Sequence, residues 1–227
     1  MEDKVKATQE DPPMKKFVPL VVLALAAVSV SISAQSPANT LTAKEKSEGW
    51  KLLFDGATLN NLVPQGKAVW KVVDGALRPE VAGGWLATKE DFTNFQLQVD
   101  FRTSAPDINS GVFLRRARQD GDSHQIGYEL QIRNPSPGDK PFDGKEGNHN
   151  AYYTGSFSGH LKSKNEPTVV MGQWHHYDVT AQGDHFIVMF DGKKVLDGHH
   201  AEFKSGAIGL QRTGQDIEFR NVKVKPL

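Results

Sequence analysis

The sequence predicts an all-β fold, a sandwich or barrel of antiparallel strands, on three observations. The first is strict two-residue alternation. In Phe95–Arg102, Phe95, Leu97, Val99 and Phe101 fall on one face, and Gln96, Gln98, Asp100 and Arg102 on the other. In Tyr128–Arg133, Tyr128, Leu130 and Ile132 oppose Glu129, Gln131 and Arg133. Ile217–Lys225 alternates with a slip at Arg220-Asn221, the mark of a bulge. Alternation with one polar face belongs to antiparallel strands. The second observation is the pair Asp-Gly between apolar runs, at Asp55-Gly56, Asp74-Gly75 and Asp191-Gly192. Each predicts a hairpin, because such a turn needs positive φ that glycine adopts freely. The third is that no long helical period follows residue 50, which leaves many short strands at close spacing.

The 227 residues suit one sandwich domain over residues 49–227, and 38% hydrophobic residues are enough to build a core. Leu97, Val99, Phe101, Val112, Leu114, Leu130, Ile132, Ile208 and Leu210 are the expected core. Formal net charge is zero, so nothing electrostatic points to nucleic acid or an anionic membrane surface as partner. The chain contains no cysteine. Disulfides and a lipid-modified N-terminal cysteine are therefore excluded, and the fold must be held by core and sheet.

Residues 1–34 read as an N-terminal extension and signal peptide. Lys15-Lys16 forms the basic start, Phe17–Val30 the apolar run, and small residues lead to a cleavage position after Ala34. The polar stretch 1–13 is unusual before a signal, which makes Met14 the alternative start. The apolar run is short for a membrane span, which needs about 20 residues. An uncleaved anchor is the competing reading. The expectation is a periplasmic or secreted bacterial protein, off the membrane once cut. Residues 35–48 form a polar linker, with a short helix expected at Thr42–Ser47 from Thr42 as N-cap and Glu45 three residues on.

No serine elbow, phosphate loop or zinc-protease motif occurs. Of the eight histidines, His175-His176 and His199-His200 are adjacent pairs. Neighbours in a strand point to opposite faces, so neither pair is a two-ligand clamp. His124 and His149 lie in polar, loop-like surroundings and are the better candidates for a site. The strand Asn109–Arg115 carries the strongest signal. With Val112 and Leu114 in the core, Gly111, Phe113 and Arg115 face outward. Glu129, Gln131 and Arg133 do the same one strand away. Such a row suits a concave sugar groove: planar polar groups match vicinal hydroxyls, and an aromatic stacks on the apolar face of the ring. An ordinary solvated sheet face fits the pattern equally well.

These same residues carry a family resemblance. Gly49–Leu59, Trp70–Leu77, Asn109–Arg115, Tyr128–Ile132, Thr154-Gly155-Ser156, Gly172-Gln173-Trp174, Gly206–Gln211 and Phe219–Val222 come in the order found in the 3-keto-disaccharide hydrolase family. The chain resembles that family over about residues 47–227. The resemblance implies that family's fold, a concanavalin A-like jelly-roll sandwich of two antiparallel sheets. Three places depart from the usual pattern, at Asn60-Asn61-Leu62, Arg133-Asn134 and Arg212-Thr213-Gly214.

The resemblance implies cleavage of a glycoside whose sugar carries a ketone at carbon 3. The ketone acidifies the proton on carbon 2, and the enolate formed expels the group on carbon 1. That chemistry needs one base and one electrophile rather than the carboxylate pair of ordinary glycosidases. In this reading Glu129 is the base or the ligand of a divalent metal ion. Arg115, with Arg133 or Arg212, polarises the ketone. Gln131 and Gln211 bind hydroxyls beside Phe113, and Tyr153, His124 or His149 reach in from loops. No cofactor beyond that optional metal is called for. A non-catalytic carbohydrate-binding module and a laminin-G-type adhesion domain are the alternatives on the same fold.

Overall fold

The computed structural model describes residues 37–81, 83–118, 126–139, 152–212 and 217–227. Lys15, Lys16 and the cleavage position at Ala34 lie outside them, as do His124 and His149. One short helix, α1 (Ala43–Ser47), precedes the strands. The strands are β1 (Lys51–Leu52), β2 (Leu62–Gly66), β3 (Val69–Val73), β4 (Ala76–Val81), β5 (Gly84–Thr88), β6 (Phe95–Thr103) and β7 (Asn109–Arg116). They continue with β8 (Tyr128–Arg133), β9 (His175–Gln182), β10 (His185–Phe190), β11 (Lys193–His199), β12 (Ala207–Arg212) and β13 (Ile217–Pro226).

The strands form two antiparallel sheets. The larger has the order β11-β10-β9-β6-β13-β4-β3, with β1 also on β13, and the smaller the order β2-β5-β12-β7-β8. All nine residues expected in the core are buried in one cluster. From the larger sheet Leu97, Val99 and Phe101 meet Val112, Leu114, Leu130, Ile132, Ile208 and Leu210 of the smaller.

Two of the three Asp-Gly pairs make hairpins. Asp74 and Gly75 (φ 51° and 74°) join β3 to β4, and Asp191 and Gly192 (φ 47° and 76°) join β10 to β11. Asp55-Gly56 does not. The strands on either side, β1 and β2, enter different sheets, and the Asp55 carboxylate instead accepts the backbone N–H groups of Ala57 and Thr58. The aspartate caps a turn between layers, a role its side chain fills as well as a hairpin.

The slip expected in β13 is present, with the register shifting between Arg220 and Lys223 and Asn221 at φ 52°. This bulge anchors the preceding segment. Asn221 and Asn39 exchange backbone-to-side-chain bonds, and Asn39 Nδ2 donates to Gly75 O at 2.7 Å. Helix α1 closes with Thr42 and Glu45 in a reciprocal capping box, and Glu45 also pairs with Lys223. Among the described residues no helix is long and apolar enough to cross a membrane.

Candidate functional site

The outward face of the smaller sheet is where the strands collect unusual side chains. Register fixes which residues share it. Gln211 pairs with Trp85, and Trp85 with Gln65. Gly209 pairs with Ala87 and Phe113, Phe113 with Glu129, and Gly111 with Gln131. Trp85, Phe113, Glu129, Gln131 and Gln211 thus lie on one face, opposite the core phase of Leu86, Val112, Leu130 and Leu210.

Two glycines make room on that face. A Cβ at Gly209 would stand 2.2 Å from Trp85 Cε3, so the indole lies directly over this position. A Cβ at Gly111 would stand 2.9 Å from Glu129 Cγ and Oε1, so the carboxylate arm folds over the β7 backbone. Trp85 and Phe113 meet edge to face with ring centroids 5.4 Å apart.

Three of the expected residues, Glu129, Gln131 and Gln211, converge here, on the same face as Phe113. All are buried, at 2%, 5%, 3% and 0% exposure. Gln131 Oε1, Gln211 Oε1 and Trp85 Nε1 have no hydrogen-bond partner among the described residues. A buried polar atom left unmatched costs about 1–3 kcal/mol, so the cluster is a stability burden unless a ligand completes it. Their backbones are held firmly. Tyr177 crosses from β9 to donate its hydroxyl to Gln131 O at 2.6 Å and accepts the N–H of Gly155. Ser110 Oγ donates to Gln211 O at 2.8 Å.

Arg115 is not on this face. It has φ 52° and forms a bulge where β7 pairs with β12, between Ala207 and Gly209. The extra residue reverses the alternation. The Arg115 guanidinium lies 5.0 Å from the ring of Phe186 in the core and donates to the carbonyls of Thr93, Gly183 and Phe203. Burial lowers its pKa from the ordinary arginine value. Arg116 takes the outward place instead, with its guanidinium 4.0 Å from the centroid of Phe113 and 5.3 Å from that of Trp85.

Arg133 shares the phase of Glu129 and Gln131, but an ion pair with Asp139 engages it. The Tyr153 ring sits 5.5 Å from its guanidinium. Burial and the Asp139 carboxylate together raise the Tyr153 pKa. Tyr153 therefore joins Arg133 at the β8 end of the face. Arg212 has the phase of Ile208 and Leu210, turned toward the other sheet, because β12 keeps regular register with β5.

Trp85, Arg116 and Asp139 are the residues that sequence reasoning missed. Trp85 sits in Gly84–Thr88, a strand buried on both faces, which shows no alternation to read. The doublet Arg115-Arg116 at the end of an apolar strand was the signal for Arg116.

The model of the 3-keto-alpha-glucoside-1,2-lyase-like domain matches residues 49–225. The chain belongs to that family. A 3-keto-disaccharide hydrolase of Bacteroides thetaiotaomicron is 22% identical to it, over 94% of this chain and all of the relative. Among solved structures, a Parabacteroides distasonis protein provisionally described as a glycosyl hydrolase superposes with a TM-score of 0.70 at 20% identity, covering 84% of this chain and all of that one. The carbohydrate-binding module CBM66 of Bacillus subtilis superposes with a TM-score of 0.53 at 15% identity, covering 73% and 95%. Membership in the 3-keto-alpha-glucoside-1,2-lyase-like family places the chain among carbohydrate-active proteins that include a hydrolase.

Proposed function

We propose that this protein is an exported enzyme that cleaves 3-keto-glycosides on the outward face of its smaller sheet. The observation that carries the reading is the buried carboxylate of Glu129 beside the unmatched amide oxygens of Gln131 and Gln211, over an aromatic floor. An amide oxygen without a protein partner accepts a sugar hydroxyl, and the unmatched indole N–H of Trp85 donates to another. Glu129 takes the proton from carbon 2. The electrons move to the carbon-3 ketone as an enolate, which Arg116 stabilises. The enolate then re-forms the ketone and a carbon 1–carbon 2 double bond as the carbon 1–oxygen bond breaks. The departing oxygen takes up a proton, and addition of water across the new double bond completes hydrolysis.

Glu129 and the two amide oxygens also suit a hard divalent cation, which takes oxygen ligands. Such an ion would supply charge stabilisation at the ketone oxygen.

The deciding experiment compares a 3-keto-glucoside with the same glucoside unoxidised. Turnover of the keto sugar alone is the expected result. Turnover of both at equal rate, or of neither, overturns the proposal. Tight binding without turnover of either would favour the carbohydrate-binding reading, for which the CBM66 likeness is the specific support. Export is tested separately, by N-terminal sequencing of the exported chain. A start just after Ala34 is expected, and retention of residues 17–30 contradicts it.

A further inference from the structure

At the edge of the sandwich, away from the site face, two histidines and a glutamate from separate segments come together. His160 belongs to the turn at Phe157–Leu161, and His200 and Glu202 follow β11. One ligand atom from each of the three lies within 4.8 Å of the others. His160 Nδ1 is 3.5 Å from Glu202 Oε2, and the two imidazole centroids are 4.7 Å apart. The His160 side chain is 10% exposed and that of Glu202 48% exposed, so the cluster is walled on the inside and open on the outside.

The tautomer of His200 follows from its neighbour. Tyr128 OH lies 3.0 Å from His200 O and 3.2 Å from His200 Nδ1, and it accepts the N–H of Phe203 at 3.0 Å. Placing the single phenolic proton on His200 O, with Nδ1 as donor to the phenol, satisfies all three contacts and puts the imidazole lone pair on Nε2. A hydrogen bond of this kind on the far nitrogen is what orients and tunes a metal-ligating histidine.

We propose that His160, His200 and Glu202 form a zinc site, with water in the fourth position. Two imidazoles and one carboxylate are a zinc ligand set. Tetrahedral bonds of about 2.0–2.1 Å put ligand atoms roughly 3.4 Å apart. Binding draws the three ligand atoms, now within 4.8 Å of one another, in to that spacing. The ion clamps the turn at Phe157–Leu161 to the segment after β11. Ser158 in that turn donates its N–H to the carbonyl of Glu129 at 2.9 Å, so the clamp also steadies the edge of β8 that carries Glu129.

The test is titration of the full chain with Co²⁺, whose visible spectrum reports tetrahedral coordination, followed by displacement with Zn²⁺. One tetrahedral site per chain is expected. His160→Gln and His200→Gln should abolish it. Tyr128→Phe should weaken it about 10–100-fold while keeping every ligand. Glu202→Gln touches only a half-exposed side chain and serves if either histidine variant misfolds. It should lose the tetrahedral spectrum. Glu129→Gln should bind as wild type, which separates this site from any ion on the sheet face. The proposal is overturned if wild type binds no metal, if the His160, His200 and Glu202 variants bind unchanged, or if only Glu129→Gln removes binding.

Discussion

On the outer face of the larger sheet, polar side chains answer one another. Gln98 donates to Asp178 at 3.0 Å, Asp100 bonds His176 and Asn221, and Arg78 and Arg102 share Glu218. Strand β6 alternates there between buried and half-buried residues throughout its length. The outer face of the smaller sheet is different. Strand β8 is buried from Tyr128 to Ile132, and the amide oxygens of Gln131 and Gln211 have no partner among the described residues. One face is satisfied and wet, the other buried and incomplete. Paired surface polar groups are what a scaffold needs, whereas buried incomplete ones persist where something else completes them.

The largest expected contrast is between two carboxylates. Glu129→Gln, nearly isosteric, should lower turnover of a 3-keto-glucoside about 10²–10⁴-fold with little change in thermal midpoint. Asp100→Asn on the opposite sheet should leave turnover alone and cost about 1–3 kcal/mol of stability in denaturant titration. Two adjacent arginines sharpen the contrast next. Arg116→Lys should lower turnover about 10²–10³-fold, the scale of losing one group that stabilises developing charge. Arg115→Lys should instead destabilise the fold by about 1–3 kcal/mol, because a point charge cannot reach three carbonyls at once, while turnover of the folded protein is kept. If the two arginines exchange these outcomes, the bulge does not set their roles.

A smaller effect comes from Gln131→Met, which keeps the length of the side chain and removes the unmatched oxygen. Stability should hold or rise slightly while sugar affinity falls, and a clear loss of stability would mean the amide is satisfied within the fold. The smallest effect is in acid. Burial pushes the Asp100 pKa up, but bonds from His176 and Asn221 outweigh it and hold the carboxyl below its usual range. Its stabilisation is therefore complete above the unfolded carboxylate pKa and is lost as pH falls through the lower folded value. Asp100→Asn should flatten that part of the acid unfolding curve, and an unchanged slope would remove the effect.

Much of this was legible in the sequence, and the failures are local. β6 and β8 could be read residue by residue, since each has one face in the core. The same parity found Glu129, Gln131 and Gln211. It failed at Arg115 because one residue at positive φ reverses every later position, and an arginine gives no sign of that conformation. Trp85 was hidden because a strand buried on both faces reads as a plain apolar run. His160, His200 and Glu202 are brought together by tertiary packing of segments about 40 residues apart, which no short spacing reveals.

In the proposed reaction Glu129 removes a proton from carbon 2 on the face of the smaller sheet. Incubating a 3-keto-glucoside with the folded protein in deuterated water, and following carbon 2 by nuclear magnetic resonance, tests it directly. Deuterium at carbon 2 of recovered substrate or product is expected with wild type, and loss of that exchange with Glu129→Gln while the fold remains intact. Cleavage without deuterium at carbon 2, or exchange undiminished in Glu129→Gln, would contradict it.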